Sequence, residues 1–138
     1  MVTINLKGRE IPLIYTTYEM KQIQEEIAPM GKLQYILSGQ NPDDEKDSSG
    51  FGGAEQIGAV AKLVRILGNA GLEEAGQEPD LTNKKVLRAL RPAELANAIN
   101  LCMEAMAQGM ETEFEIQKEE GPVDVILEEM NKKKVMED

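Results

Sequence analysis

The chain has 138 residues, 25 acidic side chains against 15 basic ones for a formal net charge of −10, a single cysteine and no histidine. That length supports one domain with a core that needs neither a metal nor a disulfide to hold it. Without histidine the commonest general base and metal ligand are missing. One cysteine forbids an internal disulfide and suits a reducing, cytoplasmic setting, and the negative charge repels nucleic acid and anionic membrane. The expectation is a non-catalytic domain whose partner is another protein, with no cofactor.

The opening MVTINLKGRE turns polar by position five and offers no apolar stretch of a secretory signal. Val2, Ile4 and Leu6 alternate with polar residues, and Ile11 and Leu13 follow a Lys7-Gly8-Arg9 break, which predicts a short β-hairpin with one buried face. Pro12 lacks an N–H and belongs on an edge or with its nitrogen turned outward. Thr16 or Thr17 caps a helix carrying Met20, Ile23 and Ile27, and Pro29 stops it; Leu33, Ile36 and Leu37 predict one or two further turns.

Residues 39–53 are rich in Gly, Ser and charge and read as a flexible loop. From Ala54 the positions Ile57, Val60, Ala61, Val64 and Leu67 recur at helical spacing, with Leu63 and Ile66 widening the apolar face, so this is the expected central helix. Lys62, Arg65 and Asn69 share the opposite face, which is expected to be solvated. Its longest apolar stretch, 57–72, is interrupted by Gly58, Lys62, Arg65, Gly68 and Asn69, too often for a membrane span. After an acidic connection at 71–80, Thr82 caps a short helix with Val86, Leu87 and Leu90 inward, and Pro92 opens another carrying Leu95, Ile99, Cys102 and Met106. The whole reads as a mostly α (α+β) fold: a helical core of four to six helices with a small N-terminal hairpin over residues 1–110, then an acidic C-terminal segment, 111–138.

That final segment holds ten acids and four bases, −6 of the total −10. Glu111, Glu113 and Glu115 alternate with Thr112, Phe114 and Ile116, a weak extended pattern. Gly121-Pro122 then precedes Val123, Ile126, Leu127 and Met130, a short amphipathic helix ending in Lys132-Lys133-Lys134. No repeat of fixed period is visible, so solenoids and propellers drop out.

Few residues offer chemistry. Asn41, Asp43 and Glu45 begin like a calcium loop, but Lys46 stands where the turn glycine is needed and Gly52 where the bidentate glutamate belongs. Gly50, Gly52 and Gly53 precede a helix without completing a phosphate-binding motif. The carboxylate pairs Glu25-Glu26, Glu73-Glu74 and Glu128-Glu129 are sequence neighbours and project in different directions. Cys102 lies in an apolar stripe with no cation within a turn to activate it, so it reads as a core thiol. Lys84, Lys85, Arg88 and Arg91 form one basic face, either a charge-balancing surface or a site for an acidic partner segment. No catalytic, cofactor-binding or metal residue is assigned.

Methionine is the remaining candidate. Met103, Met106 and Met110 recur at three and four in a chain with eight methionines and five aromatics. Such a stripe is either core filling or, if exposed, a groove for an apolar helix, since unbranched thioethers adapt to varied partners. In the second case Val123, Ile126, Leu127 and Met130 supply a removable cover.

The opening VTINLKGREIPLIYT, the core RPAELANAINLCMEAM and the ending EEGPVDVILEEMNKKK, in this order around a Gly/Asp-rich loop, resemble the small tail assembly chaperones of phages and prophages of Gram-positive bacteria. The opening hairpin and the closing G-P-V-D…L-E-E carry the resemblance over about 40 residues, and the rest follows by pattern. It implies a non-enzymatic chaperone in the host cytoplasm that coats the apolar, helical tape measure protein and recruits tail tube subunits. It also implies a longer product made by ribosomal frameshifting, for which an A-rich stretch encoding Lys132-Lys133-Lys134 is a candidate. The alternative is a structural virion component, a minor tail or head–tail connector protein. An acidic adaptor with an exposed apolar groove can also self-associate as a homo-oligomer when its partner is absent.

Overall fold

The computed structural model describes residues 1–39 and 52–120, with 112–120 as backbone alone. Strands β1 (Thr3–Leu6) and β2 (Arg9–Pro12) pair antiparallel with Ile4 opposite Ile11 and Leu6 opposite Arg9. The two linking residues, Lys7 and Gly8, both take positive φ (54° and 84°), the backbone that a two-residue turn needs to match the twist of its strands. Asn5 Oδ1 accepts from the Gly8 N–H at 2.8 Å and fixes the turn. Val2, Ile4, Leu6, Ile11 and Leu13 are all buried, as the alternation predicts.

Helix α1 (Thr17–Glu26) begins at a capping box, in which Glu19 Oε1 accepts from the Thr16 N–H at 2.8 Å and the Thr16 hydroxyl bonds back to the first turn. Pro29 then opens α2 (Met30–Leu37), and α3 (Ala54–Glu74) follows the segment 40–51. Thr82 caps α4 (Asn83–Ala89) by accepting from the Lys85 N–H at 3.1 Å. Pro92–Glu94 form a 3₁₀ turn that leads into α5 (Leu95–Glu120). The fold is therefore mostly helical with a small N-terminal hairpin, in line with the sequence.

Helix α3 is the hub: it contacts α1, α2, α4 and β2. Leu63, Val64 and Leu67 are fully buried, and Ala59, Val60, Ala61, Ile66 and Leu72 nearly so. Its polar face, expected to be solvated, is half-buried and hydrogen-bonded to neighbouring elements. Lys62 Nζ donates to the Glu26 carbonyl at 3.1 Å, Arg65 bonds the Glu26 carboxylate, and Asn69 exchanges hydrogen bonds of 3.0 and 3.2 Å with the Leu81 backbone. Polar residues on this face fasten α1 and the entry to α4 to the hub.

Two units compose the chain, Met1–Met106 and a second that begins at Ala107. In the second, the weak extended pattern at 111–116 is overturned, because α5 runs as helix to Glu120. Three alternating pairs are a short signal, glutamate is a good helix former, and extending an existing helix avoids the cost of nucleation. The loop expected at 39–53 and the helix expected from Val123 fall largely or wholly outside the described residues.

Candidate functional site

The methionine stripe divides. Met106 is buried in the core with Cys102 and Ala105, while Met103 is 42% exposed. Met110, in the second unit, is 67% exposed. Val123, Ile126, Leu127 and Met130, named as the cover, lie outside the described residues.

The first unit carries two grooves that both take residues from α4. One, of about 560 Å³, is lined by Ile57, Leu87, Leu90, Pro92 and Leu95 together with Gly52 and Arg91. Leu87 was expected to point inward with Val86 and Leu90, but it is 37% exposed and faces this groove, whereas Val86 is fully buried. Consecutive helical residues differ by about 100° in direction, so a seven-residue helix that aims Val86 at the core turns Leu87 away from it. Ile57 and Leu90 are half-buried against the core, so the groove is continuous with the interior it borders.

The other groove, of about 520 Å³, has Leu6, Ile11, Leu81 and Ala89 in its lining and Lys7, Arg9, Lys84, Lys85 and Arg88 around them. Of the basic face read from the sequence, Lys84, Lys85 and Arg88 gather here, but Arg91 lines the apolar groove instead. Lys7 and Arg9 were not part of that reading. They arrive from the hairpin, and no local spacing signals that a turn some 75 residues earlier will face α4. Arg9 pairs with Asp80 at 3.2 Å, and Lys85 Nζ donates to the Asp80 carbonyl at 3.0 Å. Lys7, Lys84 and Arg88 have no ion-pair partner among the described residues.

Burial pushes the Cys102 thiol up to about 12, so its nucleophilic thiolate is suppressed. Among the described residues no cluster of three Cys, Asp or Glu could hold a metal, and no helix is long and apolar enough to cross a membrane. The described residues thus present an apolar groove, which takes Ile57 from α3 and Leu87 from α4, and a basic groove between the hairpin and α4.

The chain matches no protein-family model, no curated protein and no solved structure.

Proposed function

We propose that this protein is a non-catalytic phage tail assembly chaperone that binds apolar helical segments of the tape measure protein. The observation that carries the reading is the groove of Ile57, Leu87, Leu90, Pro92 and Leu95, in a chain whose opening and closing segments resemble that family. An amphipathic helix presents anchors at i, i+3 or i+4, and i+7, and lays them into such a groove. Three buried anchors of the Leu or Ile kind contribute about 5–9 kcal/mol before the cost of association is subtracted. One contact of this strength is micromolar at best, since that affinity already requires about 8 kcal/mol net. Coating a long tape measure protein would then depend on many copies, each released readily as tail tube subunits arrive. A binder that must leave its partner gains from this weakness.

Co-expression with the tape measure protein encoded nearby is the test. The expected result is that it becomes soluble and co-purifies, and that Leu87→Glu abolishes both without unfolding the chain, because Leu87 is already partly exposed. Failure to co-purify, or stoichiometric presence of this protein in finished particles, would overturn the reading.

A further inference from the structure

The groove between the hairpin and α4 gathers five of the chain's fifteen basic side chains, Lys7, Arg9, Lys84, Lys85 and Arg88, although the whole carries a net charge of −10. All five are exposed, and no acidic residue among the described ones lines the groove. Asp80, which is not part of the lining, holds Arg9 through its carboxylate at 3.2 Å and Lys85 through its carbonyl at 3.0 Å. Lys7, Lys84 and Arg88 are left without an ion-pair partner among the described residues. Like charges four residues apart on a helix, as Lys84 and Arg88 are, destabilise it. Their gathering is therefore unfavourable to the fold alone and favourable to an anionic occupant.

Three features choose among anions. The unpaired cations do not converge on one point: Lys84 and Arg88 stand one turn apart on α4, with about 6 Å between their Cβ atoms, while Lys7 belongs to the hairpin turn. A small anion reaches one or two of them, whereas a chain with carboxylates at a matching spacing reaches all three. No aromatic side chain among the described residues lines the groove, so it lacks the stacking platform on which single-stranded nucleic acid is held. A longer polyanion would also run out of the groove against a chain whose remaining charge is strongly negative. The rest of the lining is apolar, with Leu6, Ile11 and Leu81 buried and Ala89 half-buried. Together with the methylene stems of the lysines it suits apolar side chains set between carboxylates.

We propose that the groove of Lys7, Lys84 and Arg88 is a docking site for an acidic segment of a partner protein, one that carries carboxylates a helical turn apart with apolar residues between them. Opposite charges speed its capture and fix its register, and the apolar lining adds a modest contribution, so binding is fast, weak and salt-sensitive. The site lies within the first unit and shares no residue with the apolar groove. It does not rest on the chaperone reading, and either can fail without the other.

Fluorescence anisotropy of a short labelled peptide of glutamate, leucine and alanine, with three glutamates four residues apart, tests it on the full chain. The expected result is saturable binding with a dissociation constant of roughly 0.1 mM, lost at about 1 M salt, where the Debye length falls to about 3 Å. The double variant Lys84→Glu, Arg88→Glu should weaken it at least about tenfold, whereas Lys21→Glu, which reverses an exposed cation on α1, should leave it unchanged. In the unsubstituted chain the peptide should shift the backbone amide resonances of residues 6–9 and 81–89 ahead of all others, a readout that needs no variant to fold. Absence of saturable binding up to about 1 mM would overturn the proposal, as would equal binding of the same peptide with glutamine in place of glutamate, or amide shifts centred on Ile57 and Leu95. A thymidine tetranucleotide, which also carries three negative charges, should bind more weakly, and equal or tighter binding would overturn the proposal in favour of nucleic acid. Dimers of the chain that the double variant abolishes would overturn it in favour of a second copy as occupant.

Discussion

A methyl group placed on Gly71 would lie 1.8 Å from the carbonyl oxygen of Pro12, deep inside that atom's van der Waals shell. The missing side chain is what lets β2 rest directly on α3. One turn back, the Leu67 carbonyl of α3 accepts the Ile14 N–H at 3.2 Å, so chain leaving the hairpin is hydrogen-bonded to the helix backbone itself. Seating the hairpin this close brings Lys7 and Arg9 to the groove that α4 shares.

Gly71→Ala should therefore destabilise the fold by about 3 kcal/mol, the upper part of the usual range for overpacking, because backbone rather than a rotatable side chain must move. Gly68→Ala should cost less, since its new methyl meets the Leu81 Cδ1 at 2.7 Å and that side chain can swing away. Gly58 faces open space, and Gly58→Ala should stabilise α3 by about 0.5–1 kcal/mol through helix propensity alone. Urea unfolding of the three variants checks the order.

Gln56, 1% exposed, accepts the Gly52 N–H at 2.6 Å and donates to the Leu37 carbonyl at 2.7 Å. Gln56→Ala strands both backbone groups and should cost about 1–3 kcal/mol. Hydrogen exchange at the Gly52 amide should accelerate more than at the amides of mid-α3, which distinguishes loss of this clamp from general loosening.

Burial raises the Cys102 thiol from its ordinary 9.0 to about 12, and burial also raises the Tyr15 hydroxyl. The folded state thus resists losing these protons. Stability from this source is complete below about pH 9 and is lost as pH climbs toward 12. Labelling of Cys102 by a thiol reagent at about pH 8 should proceed only as fast as the chain opens, and Cys102→Ser should remove part of the alkaline loss.

At the acid end, the hydrogen bond from Arg65 is the main force holding the Glu26 carboxyl below its ordinary 4.5. A lowered folded value gives stabilisation that is present above the ordinary value and lost as pH falls through the folded one. Arg65→Met should be less stable than the parent near neutrality, and the two unfolding curves should converge once Glu26 is protonated in both. If the gap persists at low pH, packing of the Arg65 stem and not the ion pair is responsible.

The elements were legible where the signal is local. Alternation through Val2, Ile4 and Leu6 and the Lys7-Gly8 turn define the hairpin, and the capping threonines Thr16 and Thr82 mark two helix starts. What sequence spacing did not show are relationships between elements far apart in the chain. Lys62, Arg65 and Asn69 look solvated on a helical wheel because their partners, Glu26 and Leu81, lie outside any local window. The grooves follow the same rule. Spacing placed Arg91 with Lys84, Lys85 and Arg88, whereas the break between α4 and the 3₁₀ turn carries it to the apolar side, and the hairpin supplies the remaining cations. Leu87 was misassigned because Val86 and Leu90 also satisfy helical spacing, and in so short a helix only packing decides which neighbour faces the core.

The double attachment made by Gln56 has an engineering consequence. One side chain in α3 holds Leu37 on one side of residues 40–51 and Gly52 on the other, so the core feels where this stretch begins and ends far more than how long it is. Closure entropy grows slowly with length, by about 0.6 kcal/mol per doubling. A fluorescent peptide or an epitope inserted between Asp44 and Ser48 should leave the melting temperature nearly unchanged, giving a site at which the protein can be labelled with little effect on its stability.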